Sequence, residues 1–113
     1  MITKFQQRVY AAVRRIPRGR VTTYKALVEY LGCGSCQAVG QALRHNSHAP
    51  VVPCHRVIAS DLTIGGFAGR RSGPEVARKL RLLATEGVEF RNGRLADPLR
   101  CISALKPTTE GNP

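Results

Sequence analysis

Residues 22–44 read TTYKALVEYLGCGSCQAVGQALR, and this stretch decides the fold. Ala26, Leu27, Tyr30 and Leu31 share one face at helical spacing. Thr22 or Thr23 stands ready as cap and Gly32 as stop. After the short link Cys33-Gly34-Ser35, a second helix is predicted from about Cys36 to Arg44, with Val39 and Leu43 turned inward. Two short helices across a tight glycine-containing turn read as a helix-turn-helix, whose second helix enters a DNA groove. Small residues at Ala38, Gly40 and Ala42 let that helix approach closely.

Upstream, Phe5, Val9, Ala12, Val13 and Ile16 form one apolar stripe. Thr3 and Gln6 make a capping box, and Pro17 ends the helix. Arg14, Arg15, Arg18 and Arg20 crowd its exit, as a solvated face or a phosphate contact. Downstream, His45 to Gly69 reads mostly as loop. A last helix starts with Pro74 in its first turn and ends at Glu86-Gly87. Its expected buried stripe is Val76, Leu80, Leu83 and Ala84, with Arg78, Lys79 and Arg81 mostly outside. Asn92-Gly93 between apolar ends predicts a small hairpin.

The expected architecture is therefore a single, mainly α domain bordering on α/β. It carries a helix-turn-helix, a long active-site loop and a small C-terminal hairpin. The domain is expected over 1–96, with 97–113 a partly disordered tail.

Among 113 residues, 18 Lys and Arg face 7 Asp and Glu, a formal charge of +11. A surface this basic favours a polyanion, most of all nucleic acid. No apolar run suits a membrane span and the first residues lack a signal-peptide core, so an intracellular place is expected, in a prokaryotic cytoplasm or a eukaryotic nucleus. The 4 cysteines then read as free thiols, metal ligands or catalytic groups.

Cys33 and Cys36 have ligand spacing, but no second pair follows to complete a zinc site, and a packing pair at the turn is favoured. Pro53-Cys54-His55-Arg56-Val57 is different. An adjacent imidazole can make a thiol a nucleophile, and the preceding proline stiffens its backbone. A zinc deaminase reading fails, because the third residue after Cys54 is Val57 and no His-x-Glu precedes it. A buried structural thiol is the plain alternative; a thiol protease has no use for the charge. His45 and His48 read as surface loop residues, and Asn46 as a turn former or an active-site support. Glu86 is either a solvent-facing acid or one with a specific partner, since a carboxylate opposes the dipole at a helix C-terminus.

The segments Arg18-Gly19-Arg20-Val21-Thr22-Thr23-Tyr24, Ala38-Val39-Gly40-Gln41-Ala42-Leu43, Asn46, Pro53-Cys54-His55-Arg56-Val57-Ile58 and Leu82-Leu83-Ala84-Thr85-Glu86-Gly87 occur in this order. Together they resemble the DNA-binding catalytic domain of the O6-alkylguanine-DNA alkyltransferases, over nearly all of the chain except its tail. The Pro-Cys-His-Arg-Val motif is highly specific. The chain looks like that domain alone, without the N-terminal domain many relatives carry.

The resemblance implies direct, irreversible transfer of an alkyl group from guanine O6 to Cys54 after base flipping. It makes His55 the base acting through a water, Glu86 its orienting carboxylate, Asn46 a support of the turn, and Tyr24 a proton donor or phosphate brace. It implies DNA contacts by Tyr24, Lys25, Cys36, Gln37, Ala38, Gly40, Arg44 and Ser60, and a base pocket walled by Leu43, Val57, Phe67 and Ala68. Double-stranded DNA containing O6-alkylguanine is the implied partner, of a monomer needing no metal or organic cofactor.

The chain departs from the pattern at Gln37, where relatives carry an arginine that fills the vacated stack. Phe67 stands for a usual tyrosine and Ala68 for a serine, and Arg70 to Pro74 reads as a small insertion. Two other classes stay open. Alkyltransferase-like damage sensors flip the base without transfer and recruit nucleotide excision repair, typically with tryptophan in place of the cysteine. A helix-turn-helix regulator would carry its cysteine incidentally.

Overall fold

The computed structural model describes residues 3–32, 34–45, 52–65 and 73–102. Helix α1, Lys4–Val13, starts in the predicted capping box: Thr3 Oγ1 accepts from Gln6 N at 3.0 Å, and Gln6 Oε1 accepts from Thr3 N at 2.9 Å. Val9, Tyr10, Ala12 and Val13 are buried along it, and Ile16 is fully buried in the turn that follows.

Strand β1, Thr22–Thr23, leads directly into α2, Tyr24–Leu31. Of the two candidate caps it is Thr23 that serves, its hydroxyl accepting from Ala26 N. Ala26, Leu27 and Leu31 are buried as expected, while Tyr30 is half-buried at the edge of the core. Helix α3, Cys36–Arg44, is capped by Ser35 and buries Val39, Ala42 and Leu43. The turn between α2 and α3 is moulded on α1. Gly34 has φ +85, and a Cβ there would lie 2.8 Å from the Phe5 ring, so backbone and space both require glycine. At the other end of α3, the buried Tyr10 hydroxyl donates to Ala42 O at 2.7 Å. The three helices enclose the main core, which also takes in Val52, Cys54 and Val57.

The stretch expected as loop contains more order. Residues Cys54–Arg56 form a 3-10 turn and Val57–Ile58 a short strand, β2. It pairs in parallel with β1, Thr22 against Val57 and Thr23 against Ile58. Two-residue strands give almost no alternation to read, so the pattern alone could not reveal them. Strands β3 (Phe90–Arg91) and β4 (Arg94–Leu95) form the predicted hairpin, with Asn92 and Gly93 both at positive φ.

Helix α4, Pro74–Thr85, begins at Pro74 as predicted, but its buried stripe is rotated. Val76 and Leu83 face inward with Lys79, which is fully buried. Leu80 is 37% exposed and lines, with Ala84, Val88, Glu89 and Phe90, a hollow in the surface. Hydropathy placed the lysine outside; two backbone carbonyls that need a donor draw it in.

Order also continues beyond residue 96. Pro98–Arg100 form a 3-10 turn and Cys101 bridges Val21 in parallel. Ile102 N donates to Val21 O, and buried Thr22 donates from Oγ1 to Ile102 O. The expected boundary at 96 therefore cuts through a paired segment, because β1's outer edge needs partners. Residues 103–113 lie outside the described part. None of the helices among the described residues is long and apolar enough to cross a membrane.

Candidate active site around Cys54

Pro53 sets the backbone of Cys54, the candidate nucleophile. At φ −81 and ψ 66 it makes an inverse γ-turn, closed by Cys54 N donating to Val52 O at 2.8 Å. Arg56 N then donates to Pro53 O, and Val57 N to Cys54 O. Both backbone polar groups of Cys54 are thus engaged. The residue is 8% exposed, at the edge of the main core, and its thiol is free.

Glu86, the C-cap residue of α4, binds the next two residues of the turn. His55 Nε2 lies 2.9 Å from Glu86 Oε2. Arg56 grips the same carboxylate with a fork: Nε donates to Oε1 at 2.9 Å and Nη2 to Oε2 at 2.9 Å. Its third donor, Nη1, reaches Ile16 O at 2.8 Å and ties the cluster to the end of α1. All three side chains are largely buried, at 3% for His55, 6% for Glu86 and 15% for Arg56. Arg18 Nη2 donates to Thr85 O, so one of the exit arginines secures the end of α4.

The electrostatics follow from this geometry. Burial pushes the Glu86 carboxyl up, but hydrogen bonds from Arg56 and His55 outweigh that and leave it below its ordinary value. Burial lowers His55 below the ordinary histidine value; the bond to Glu86 opposes this, while the charges of Arg56 and Lys79 add to it. A neutral imidazole that donates from Nε2 to an ionised Glu86 keeps Nδ1 as its basic nitrogen. This is an arrangement that can accept a proton from a neighbouring thiol. Of the two readings of Glu86, the one with a specific partner is the one realised.

Two phenols feel the same sulfur. Tyr24, the first residue of α2, is half-buried, and its phenol is raised first by burial and then by the charge of Cys54. Tyr10 is raised by the same two causes. Val57 is fully buried directly after the turn, and Leu43 is buried in α3. Asn46, Phe67 and Ala68 lie outside the described residues, as do Cys33, His48 and Arg70.

Apart from Tyr24, the expected DNA-facing residues are exposed or half-exposed. Cys36 and Gln37 are exposed at the start of α3, Ala38 and Gly40 are half-exposed, and Arg44 is exposed at its end. Lys25 is exposed on α2 and Ser60 on the turn after β2. Cys36 is a free thiol, and no cluster of three or more His, Cys, Asp or Glu suited to a metal occurs among the described residues. Sequence reasoning passed over Arg56 and Lys79. The first sat in plain view inside the motif, next to the histidine; the second carried no signal, since an isolated lysine on a helix normally faces water.

The model of the 6-O-methylguanine DNA methyltransferase, DNA binding domain, matches residues 4–88. The chain belongs to this methyltransferase family. A methylated-DNA–protein-cysteine methyltransferase of Mycolicibacterium paratuberculosis is 41% identical over 85 residues, covering 74% of this chain and 48% of that protein. The chain thus spans about half the length of the curated family members it matches. Among solved structures, S. pombe Atl1 in complex with damaged DNA containing O6-carboxymethylguanine superposes with a TM-score of 0.77 at 34% identity, over 95% of this chain and 99% of that one. The O6-methylguanine-DNA methyltransferase of Pyrococcus kodakaraensis gives 0.67 at 41% identity, over 77% of this chain and 48% of that one. The small, mainly helical domain is this family's fold.

Proposed function

We propose that this chain repairs DNA by taking the alkyl group of O6-alkylguanine onto Cys54. The observation that carries the reading is the linked set Cys54, His55 and Glu86, with the nucleophile on a fixed turn and the 2.9 Å His55–Glu86 bond behind it. The face of α3 that carries exposed Cys36 and Gln37 and half-exposed Ala38 and Gly40, with the +11 charge, supplies the means to hold duplex DNA. A stacked guanine hides its O6 substituent, so the nucleotide is extruded toward Cys54, which costs a few kcal/mol that phosphate contacts offset.

In the transfer step the thiol proton passes through a water to His55 Nδ1, and the resulting imidazolium is balanced by Glu86. The sulfur lone pair forms a bond to the alkyl carbon as the bond from carbon to O6 breaks. The electron pair stays with guanine, which gains a proton from the Tyr24 hydroxyl, and the phenolate so formed takes back through water the proton held on His55. The thioether has no leaving group to regenerate the thiol, so each molecule acts once.

Incubation with duplex DNA carrying O6-methylguanine, followed by mass measurement, tests this. The expected result is a gain of one methyl at Cys54, absent in Cys54→Ser. The end-to-end likeness to Atl1 favours a second reading, a sensor that binds and flips the lesion and recruits nucleotide excision repair. Tight, lesion-selective binding with no mass gain decides for the sensor.

A further inference from the structure

The buried amine of α4 lies behind the proposed site and has no part in the chemistry above. Lys79 is fully buried, and its Nζ donates to Val57 O and to Ile64 O, both at 2.7 Å. Val57 closes the nucleophile's turn by donating to Cys54 O. Ile64 follows a tight turn in which Leu62 N donates to Ala59 O and Ala59 N to Thr63 O. The next residue, Gly65, has φ +70 and sits where a Cβ would meet the Tyr24 ring at 3.5 Å and Ala59 N at 3.3 Å. One ammonium therefore fixes the distance between the segment that carries the thiol and the segment that backs the tyrosine.

The geometry points to Lys79 as a positioning residue for alkyl transfer, holding the turn of Cys54 in register with the segment behind the Tyr24 ring. This rests on the function proposed above. The cost of the device is visible in the amine itself, since burial lowers it from the ordinary lysine value to about 7, partly opposed by the charge of Cys54. Among the described residues, Cys54 on the turn acts on it by its charge, and His55 beside it feels the lysine's charge. A hydrocarbon of the same length fills such a space at less cost, so the amine is there for the bonds it donates, those to Val57 O and Ile64 O among them.

Lys79→Met removes the donors and keeps the volume; Lys79→Gln keeps a donor on a shorter arm. Transfer from O6-methylguanine duplex in Lys79→Met is expected to slow by about tenfold or more, as misplaced reacting atoms do. Affinity for undamaged duplex stays within about twofold, because phosphate contacts supply it. Lys79→Gln recovers part of the loss. Without DNA, iodoacetamide is expected to modify Cys54 about fivefold faster in Lys79→Met than in the native chain, through local opening of the turn. A native-like transfer rate and native-like iodoacetamide rate in folded Lys79→Met overturn the assignment, as does equal loss in Met and Gln variants. Should the native chain neither prefer the lesion nor gain mass, the repair reading falls, and the iodoacetamide comparison still decides whether Lys79 holds the turn.

Discussion

The turn at Cys54 and the leading end of α3 are built on opposite terms. Around the turn, charged side chains are largely buried and bonded inward: Glu86 to His55 and Arg56, Arg56 also to Ile16 O, and Lys79 to two carbonyls. On α3, Cys36 and Gln37 stand in solvent on a helix pinned from behind by Tyr10. Under the proposed function, the contrast separates two tasks. Chemistry needs atoms held to fractions of an ångström, while a surface for a charged polymer needs reach and small side chains.

The strongest way to break the buried half is Glu86→Gln. It strips the counter-charge from a guanidinium that is only 15% exposed. Removing one partner of a buried pair costs about 3–5 kcal/mol, and a drop in thermal midpoint on that scale is expected. Transfer should fall by about 100-fold as well, since His55 loses its orienting acceptor. An unshifted melting curve would remove Arg56–Glu86 as a structural element. Arg56→Lys comes next, keeping the charge but not the fork or the reach to Ile16 O. A loss of about 1–2 kcal/mol is expected in urea unfolding.

The same contrast predicts how stability tracks pH. Glu86 is lowered in the fold, so its contribution is present above the ordinary carboxylate range and is lost as pH falls through its folded value. His55 is also lowered, so stability falls as pH drops below the ordinary histidine value toward the folded one. Lys79 acts at the other end. The unfolded chain binds more protons than the folded one between about 7 and the ordinary 10.5, so stability rises with pH across that window. Melting midpoints measured from acid to alkaline pH should show both limbs, and Lys79→Met should lack the alkaline rise.

Smaller effects belong to the exposed half. Gln37→Arg adds a charge and a stacking plane, and is expected to raise lesion affinity or transfer rate by roughly tenfold. No gain would mean that Gln37 does not fill the vacated stack. Lys25→Ala should lower the slope of log affinity against log salt by about 1, with little change in the preference for the lesion. A change in that preference would place Lys25 at the base rather than the backbone.

What the chain let be read in advance follows the same division. Helix caps at Thr3 and Gly32, the turn at Asn92-Gly93 and the apolar faces of α1 to α3 are local patterns, and local patterns persist in the fold. The β1–β2 pair joins residues 35 positions apart (Thr22 with Val57, so 57 − 22) through backbone bonds alone, leaving no side-chain signature. Lys79 was misplaced for a related reason: its burial answers to carbonyls on β2 and beyond, which hydropathy does not register. In the site, Cys54 and His55 were legible as neighbours and Glu86 through its awkward place at a helix end. Arg56 stood in the motif, but its role as a clamp on Glu86 did not show, because an arginine in a chain this basic reads as one more surface charge.

The ring of Phe5 under Gly34 sets a limit on how this molecule can change. The pitch at which α3 leaves α2 is dictated by a side chain from neither of them. A larger residue at 34, or an added one in the link, must tilt α3 or evict the phenylalanine. Variation in what α3 touches is therefore channelled into its outward side chains, while its angle of attack is inherited unchanged from the first helix.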